Sequence, residues 1–217
     1  MDRDILYIEM YKLFKRRRAW IGPVLVFLLI IISFPLTLDI NSDNPPQIYL
    51  SFIWISTLLV TMLGTELIFS DDFEDGTLEQ YAVNDQLIEV VFYKIFVHWV
   101  LIGIPLAFVA FLFILSLNIS IQISSIALLC LIISNLIFIN FFSLGNALSL
   151  KKGSILGLLI TIPFLIPVLI VLGKMTTSAL LGLSLVGHLS LLVGVMILVA
   201  SFIPVSYTHL TLPTIGC

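Results

Sequence analysis

Seven of the thirteen carboxylate side chains in this sequence fall in one polar segment, Ser70 to Lys94, as Asp71, Asp72, Glu74, Asp75, Glu79, Asp85 and Glu89. Acids gathered in this way serve either as a docking face for a basic partner or as charge that keeps a loop in water. Both readings stand on the spacing alone. Glu66 lies just upstream, near the end of an apolar run. An ionisable group at that depth is costly unless it faces a cavity, a partner or the headgroups, and the end-of-helix alternative is a side chain reaching the interface. His98 follows Lys94 by four residues, beside Trp99. It has the chemistry of a haem ligand or a proton carrier, and equally of an interfacial anchor. His188, inside a later apolar run, carries the same alternatives.

Other chemistry is missing. The sequence has no G-x-x-x-x-G-K-[ST], and the nearest pattern, Gly182 to His188, has His where the phosphate-binding Lys is needed. There is no H-E-x-x-H, no G-x-S-x-G, and no clustered His. Cys130 and Cys217 have neither the spacing of a metal site nor that of a plausible disulfide. We therefore expect no catalytic residues, no metal site and no nucleic-acid partner.

The elements that position these groups belong in lipid. Of the 217 residues, 60% are hydrophobic and 11% charged, and the mean hydropathy is +1.19. A soluble domain needs more polar surface than that. Runs of about 20 apolar residues mark membrane spans, and six occur: 20–38, 48–69, 95–117, 123–148, 155–173 and 180–205. The loop Asp39 to Gln47, with Pro45 and Pro46, separates the first two. The first run is longer than a signal-peptide core and lacks a cleavage site, so it is read as retained. Pro163 and Pro167 should bend the fifth span, and Gly153-x-x-x-Gly157 is a weak small-residue packing motif.

Nine of the ten Lys and Arg share one side in this scheme: Arg3, Lys12, Lys15, Arg16, Arg17 and Arg18 before the first span, Lys94 in the second loop, and Lys151 and Lys152 in the fourth. Only Lys174, placed in the fifth loop, falls opposite. Basic loops stay in the cytoplasm, so both termini are expected there. Between Asp4 and Lys15, Ile5, Ile8, Tyr11 and Leu13 alternate with charges. That is either an amphipathic helix at the headgroups or a basic topology signal. In the acidic segment, Thr77-Leu-Glu-Gln80 has the form of a capping box, with Asp75 at the positive end of a helix starting near Leu78. Leu87, Val90, Val91 and Lys94 then recur at helical spacing, as if a helix ran into the third span.

The string Glu66 to Gln80, E-L-I-F-S-D-D-F-E-D-G-T-L-E-Q, resembles the signature of the haem exporter protein B (CcmB) family, ABC-2-type permeases of cytochrome c maturation. Similar features follow in order: His98-Trp99, Leu150-Lys151-Lys152-Gly153, then Ile162-Pro163 with Ile166-Pro167. The likeness covers residues 4 to 204. It departs from the family at Leu67 and Ser70, where basic residues are common, and over 206–217, which reads as an atypical, foreign tail after a single permease domain of residues 1–205.

The resemblance implies an all-α integral membrane protein, a permease of six spans in the bacterial inner membrane. A separate cytoplasmic ABC ATPase would bind the ATP. Asp71, Asp72, Glu74, Asp75, Gly76, Thr77, Leu78, Glu79 and Gln80 would form the coupling helix that receives its stroke. Other haem-handling membrane subunits would complete the complex, with haem or a haem-loaded chaperone as cargo, and two membrane halves would pair as a homodimer or with another subunit. A different ABC-2-type exporter, for lipid, drug or polysaccharide, and an assembly scaffold without ATPase coupling are the alternatives.

Overall fold

Every backbone amide and carbonyl in a lipid core must find its partner within the segment or in a neighbouring helix, and a long apolar run meets this demand as an α-helix. The computed structural model describes residues 2–37, 45–150 and 154–211, and among them the chain is helical, with no strand. Ten α-helices follow in order: α1 Asp2–Lys15, α2 Arg17–Thr37, α3 Pro45–Thr65, α4 Ser70–Glu74, α5 Thr77–Val83, α6 Leu87–His98, α7 Ile104–Ser116, α8 Ile121–Ser149, α9 Ser154–Leu180 and α10 Val186–Thr211. A single π turn, Trp99–Gly103, joins α6 to α7 without interruption. Five helical segments among the described residues are long and apolar enough to cross a membrane, and Val186–Ser201 is a shorter apolar helix.

The molecule is apolar outside and polar within, the arrangement that lipid selects. Leu29, Leu36, Leu63, Phe108, Leu159 and Phe164 are exposed, whereas Ser134, Asn135, Asn140, Ser143, Asn146 and Ser149 of α8 are buried. α8 is the central helix and packs against α3, α7, α9 and α10. Polar cross-links tie it to its neighbours. Asn135 Nδ2 donates to the Gly103 carbonyl at 2.8 Å, and Thr61 Oγ1 donates to Asn135 Oδ1 at 3.2 Å. The Trp99 indole donates to the Ile132 carbonyl at 3.0 Å, so both ends of the π turn are fastened to α8.

α8 and α9 meet where two glycines face each other. A Cβ on Gly145 would lie 2.5 Å from the Gly157 carbonyl oxygen. Gly157 thus supplies the close approach expected of its motif, while Gly153, with Lys151 and Lys152, lies outside the described residues. Trp54 Nε1 donates to Thr176 Oγ1 at 2.9 Å and fixes α3 to the far end of α9.

Several expected boundaries move. Pro45 opens α3 instead of lying in a loop, because the first helical position needs no amide donor. The second run unwinds after Thr65, so Glu66 to Phe69 form turns instead of the last turn of a span. The third helix starts at Leu87, eight residues before the apolar run, and includes Lys94. The fifth continues to Leu180 and carries the exposed Lys174 on its surface, where a long stem can reach outward. A break with Gly182 at φ 67° follows, and α10 begins at Val186, not at Leu180. Beyond Val205, α10 continues to Thr211, through the first residues of the segment expected to be a tail, and 212–217 lie outside the described residues.

Candidate functional site

At the end of the bundle that carries α1, a set of charges is sealed between three helices. Glu9 and Leu13, one turn apart, form the buried stripe of α1, while Tyr7, Ile8, Met10, Tyr11 and Phe14 point outward. The helix is inside-out for water: its carboxylate faces protein and its aromatic rings face outward. That polarity suits a helix lying in the headgroup layer.

Glu9 is held by Lys94 of α6, whose Nζ donates to Glu9 Oε2 at 2.7 Å and pairs with Asp72 Oδ2 of α4 at 2.5 Å. Lys12 adds a second ammonium, donating to Asp72 Oδ1 at 3.3 Å and lying 3.6 Å from Glu9 Oε1. Burial of Lys12 favours its neutral form, but the carboxylates of Glu9 and Asp72 outweigh that and raise its pKa above 10.5. Outside the cluster, Arg16 pairs with Asp71. Glu9, Asp72 and Lys94 are each at most 6% exposed. Charges so buried persist only because two carboxylates meet two ammonium groups and the set is neutral.

The acidic segment folds over this cluster as two short helices. Gly76 adopts φ 75°, open to glycine at no steric cost, and turns α4 into α5. The Asp75 carboxylate accepts the Thr77 amide at 2.9 Å in an Asx turn. Hydrogen bonds from Thr77, side chain and backbone, hold the Asp75 carboxyl below its ordinary 3.8. The expected capping box does not form: Gly76, not Thr77, is the capping residue, and the exposed Gln80 makes no cap hydrogen bond with it. Asp75 already satisfies the amide nearest the helix start, which removes the need for the box. The helix does begin at Thr77, within one residue of the expected start.

Leu78, Tyr81 and Ala82 of α5 pack on an apolar cluster built from Ile68, Phe69, Leu87, Val91 and Ile95. Glu74, Asp75, Glu79, Gln80, Asp85 and Glu89 are left on the outside, with Val83 73% exposed among them. Asp85 closes the turn into α6 at φ 55°. The nine residues expected to form one coupling face therefore divide. Asp72 faces inward and holds α1; Asp71 is half-buried and bound to Arg16; Gly76, Thr77 and Leu78 shape the turn and its anchor. Glu74, Asp75, Glu79 and Gln80 present the outer surface.

Glu66 is half-buried in the turn between α3 and α4. His98 is buried, with Nδ1 2.8 Å from the Lys94 carbonyl. A carbonyl only accepts, so Nδ1 carries the proton. His188 sits in the first turn of α10, half-buried. Among the described residues no group of three or more His, Cys, Asp or Glu is placed to hold a metal ion.

Sequence reading missed Glu9, Lys12 and Lys94 as a set. One signal was present: Glu9 is the only acid between Asp4 and Asp39, and Lys94 the only Lys or Arg between Arg18 and Lys151. A lone charge amid apolar neighbours has to find a partner from elsewhere in the chain.

The model of one protein family, described as CcmB protein, matches residues 4–211. The chain is 30% identical over 203 residues to Heme exporter protein B of Pseudomonas aeruginosa, covering 92% of this chain and 91% of that protein. It is 29% identical over 197 residues to Heme exporter protein B of Haemophilus influenzae, with 89% of each chain covered. To the protein of the same name from Rhodobacter capsulatus it is 28% identical over 191 residues, 84% of this chain and 86% of that one.

Proposed function

Since this chain belongs to the CcmB protein family, we propose that it is the membrane permease subunit of an ABC-type complex of cytochrome c maturation. In this reading it couples ATP hydrolysis by a partner to haem delivery or to release of a haem-loaded chaperone. Relatives named Heme exporter protein B, matched along almost their whole length, support the cargo assignment. The observation that carries the coupling role is the acidic outer surface of α4 and α5, set on a rigid base by the buried charges and by Leu78, Tyr81 and Ala82. A docking element has to be firm, because a push absorbed by a mobile loop reaches no span.

The chain has no phosphate-binding loop of its own, so the nucleotide belongs to a separate cytoplasmic ATPase. In this reading α1 and the acidic surface lie on the cytoplasmic side of the inner membrane, with both termini there, which the concentration of basic residues before the first span supports. Haem is cargo in this reading, not a resident cofactor, and the chain performs no chemical step.

The test is co-purification of the tagged chain with the cytochrome c maturation ATPase of the same genome after detergent extraction. Glu74→Lys with Glu79→Lys is the informative reversal, because Asp75 also holds the start of α5. Retention of the ATPase by the native chain and its loss in the double variant is the expected result. A native chain that is folded and inserted yet retains no ATPase would overturn the reading.

A further inference from the structure

The acidic surface accounts for the outward-facing carboxylates but not for Glu9, Asp72 and Lys94, which are buried beyond a docking partner's reach. Lys94 lies between two carboxylates from different parts of the chain, Glu9 at 2.7 Å and Asp72 at 2.5 Å. Its helix then enters the π turn, whose Trp99 and Gly103 are bonded to α8. Arg16, in the break just after α1, makes a second link to α4 through Asp71. A solvated topology signal would make no such contacts, and a solubilising loop would keep its acids in water.

We propose that Lys94 is a positioning residue for coupling, clasping α1 and α4 to α6 so that a push on the acidic surface moves all three as one body against α8. This rests on the permease reading above. The π turn is the place for that movement to be absorbed, since its hydrogen-bond pattern is already displaced from the α register. α1, lying among the headgroups with its rings outward, thereby becomes a moving part, and the membrane surface resists or permits the stroke through it.

Removing Lys94 alone strands two buried carboxylates and risks the fold, so the decisive variant neutralises the whole set. Glu9→Gln, Asp72→Asn and Lys94→Met together leave no buried charge, and such replacements are commonly neutral or better for stability. Lys12 is half-exposed and stays solvated. The chain and its ATPase, co-expressed and placed in nanodiscs, are read in three ways: ATPase retention, amide hydrogen exchange along residues 5–13, and yield of mature cytochrome c in cells. The triple variant should insert and keep the ATPase, while α1 exchanges faster and cytochrome c yield falls, each on the order of tenfold. Lys94→Arg, which keeps the charge, should stay close to the native chain in all three.

Unchanged exchange along α1 would overturn the clasp. So would native cytochrome c yield in the triple variant, because the cluster would then only neutralise itself. A native chain that retains no ATPase would sink the permease reading, and the exchange of α1 would still decide whether Lys94 holds it.

Discussion

Gly145 and Gly157 make the contact between α8 and α9 unusually intolerant of a single methyl group. A Cβ on Gly145 would sit 2.5 Å from the Gly157 carbonyl oxygen and 2.8 Å from Thr161 Cγ2, whereas ordinary contact begins at 3.4 Å. Restoring that contact requires a displacement of 3.4 − 2.5 = 0.9 Å, and the obstacle is backbone, which has no rotamer to change. Overpacking of this kind costs about 1–3 kcal/mol. For a chain of this size that lowers Tm by roughly 2–12 °C. Gly173, in the same helix α9, is the control, because nothing lies within 4 Å of a Cβ there. Gly173→Ala should raise Tm instead, since alanine in a helix is favoured by roughly 0.5–1 kcal/mol. Cys130 provides the assay: it is buried, its Sγ is 3.4 Å from Met175 Sδ of α9, and it becomes reactive to a fluorogenic thiol dye when α8 and α9 part. With Cys217 replaced by Ser throughout, the dye should report Gly145→Ala opening below the native chain and Gly173→Ala above it. Shifts of the same sign for both, or none for Gly145→Ala, would refute the steric argument.

Two further perturbations probe other contacts. Trp54→Phe keeps the ring in its buried place but removes the indole N–H given to Thr176, at a cost of about 0.6 kcal/mol and no more than about 1.7. The same thermal assay should show a small decrease, smaller still when Thr176 is already Val. Asp75 titrates below 3.8, so its hold on the start of α5 is complete above that pH and is lost as pH falls through the lower folded value. A carboxyl NMR titration with its midpoint below 3.8, and an Asp75→Asn chain whose α5 amide exchange no longer responds to acid, are the expected results; a midpoint at or above 3.8 counts against the Asx turn.

Five of the six expected spans were legible in the sequence because lipid demands long apolar runs, with breaks such as Asn118 to Gln122 between them; in place of the sixth the described residues hold a shorter apolar helix, Val186–Ser201. Their ends were less so. Pro45 reads as a loop residue and acts as a helix start, and Lys174 reads as a loop charge although a lysine stem can leave its helix for the interface. The acidic segment announced its helix start and its continuation into the third span, yet its capping residue was misassigned, because Asp75 and Thr77 both have capping chemistry and only the backbone at Gly76 decides between them. The charge cluster was the least legible feature. Lys94 and Glu9 are 85 residues apart, and Lys12 and Asp72 are 60 apart, so no local pattern records either pair.

The π turn at Trp99–Gly103 also bears on how this chain can vary through descent. A π turn holds one residue more than the α-helix it interrupts, so it behaves as a tolerated insertion. Winding the same residues into a regular α-helix, with that residue kept, would turn everything before it by about 100° relative to everything after. Lys94 would swing away from Glu9 and Asp72 while Leu106, Ala110 and Ile114 kept their places in the core. The π turn is therefore bound to its extra residue: the charge pairs keep their places when the turn straightens only if one residue is lost with it.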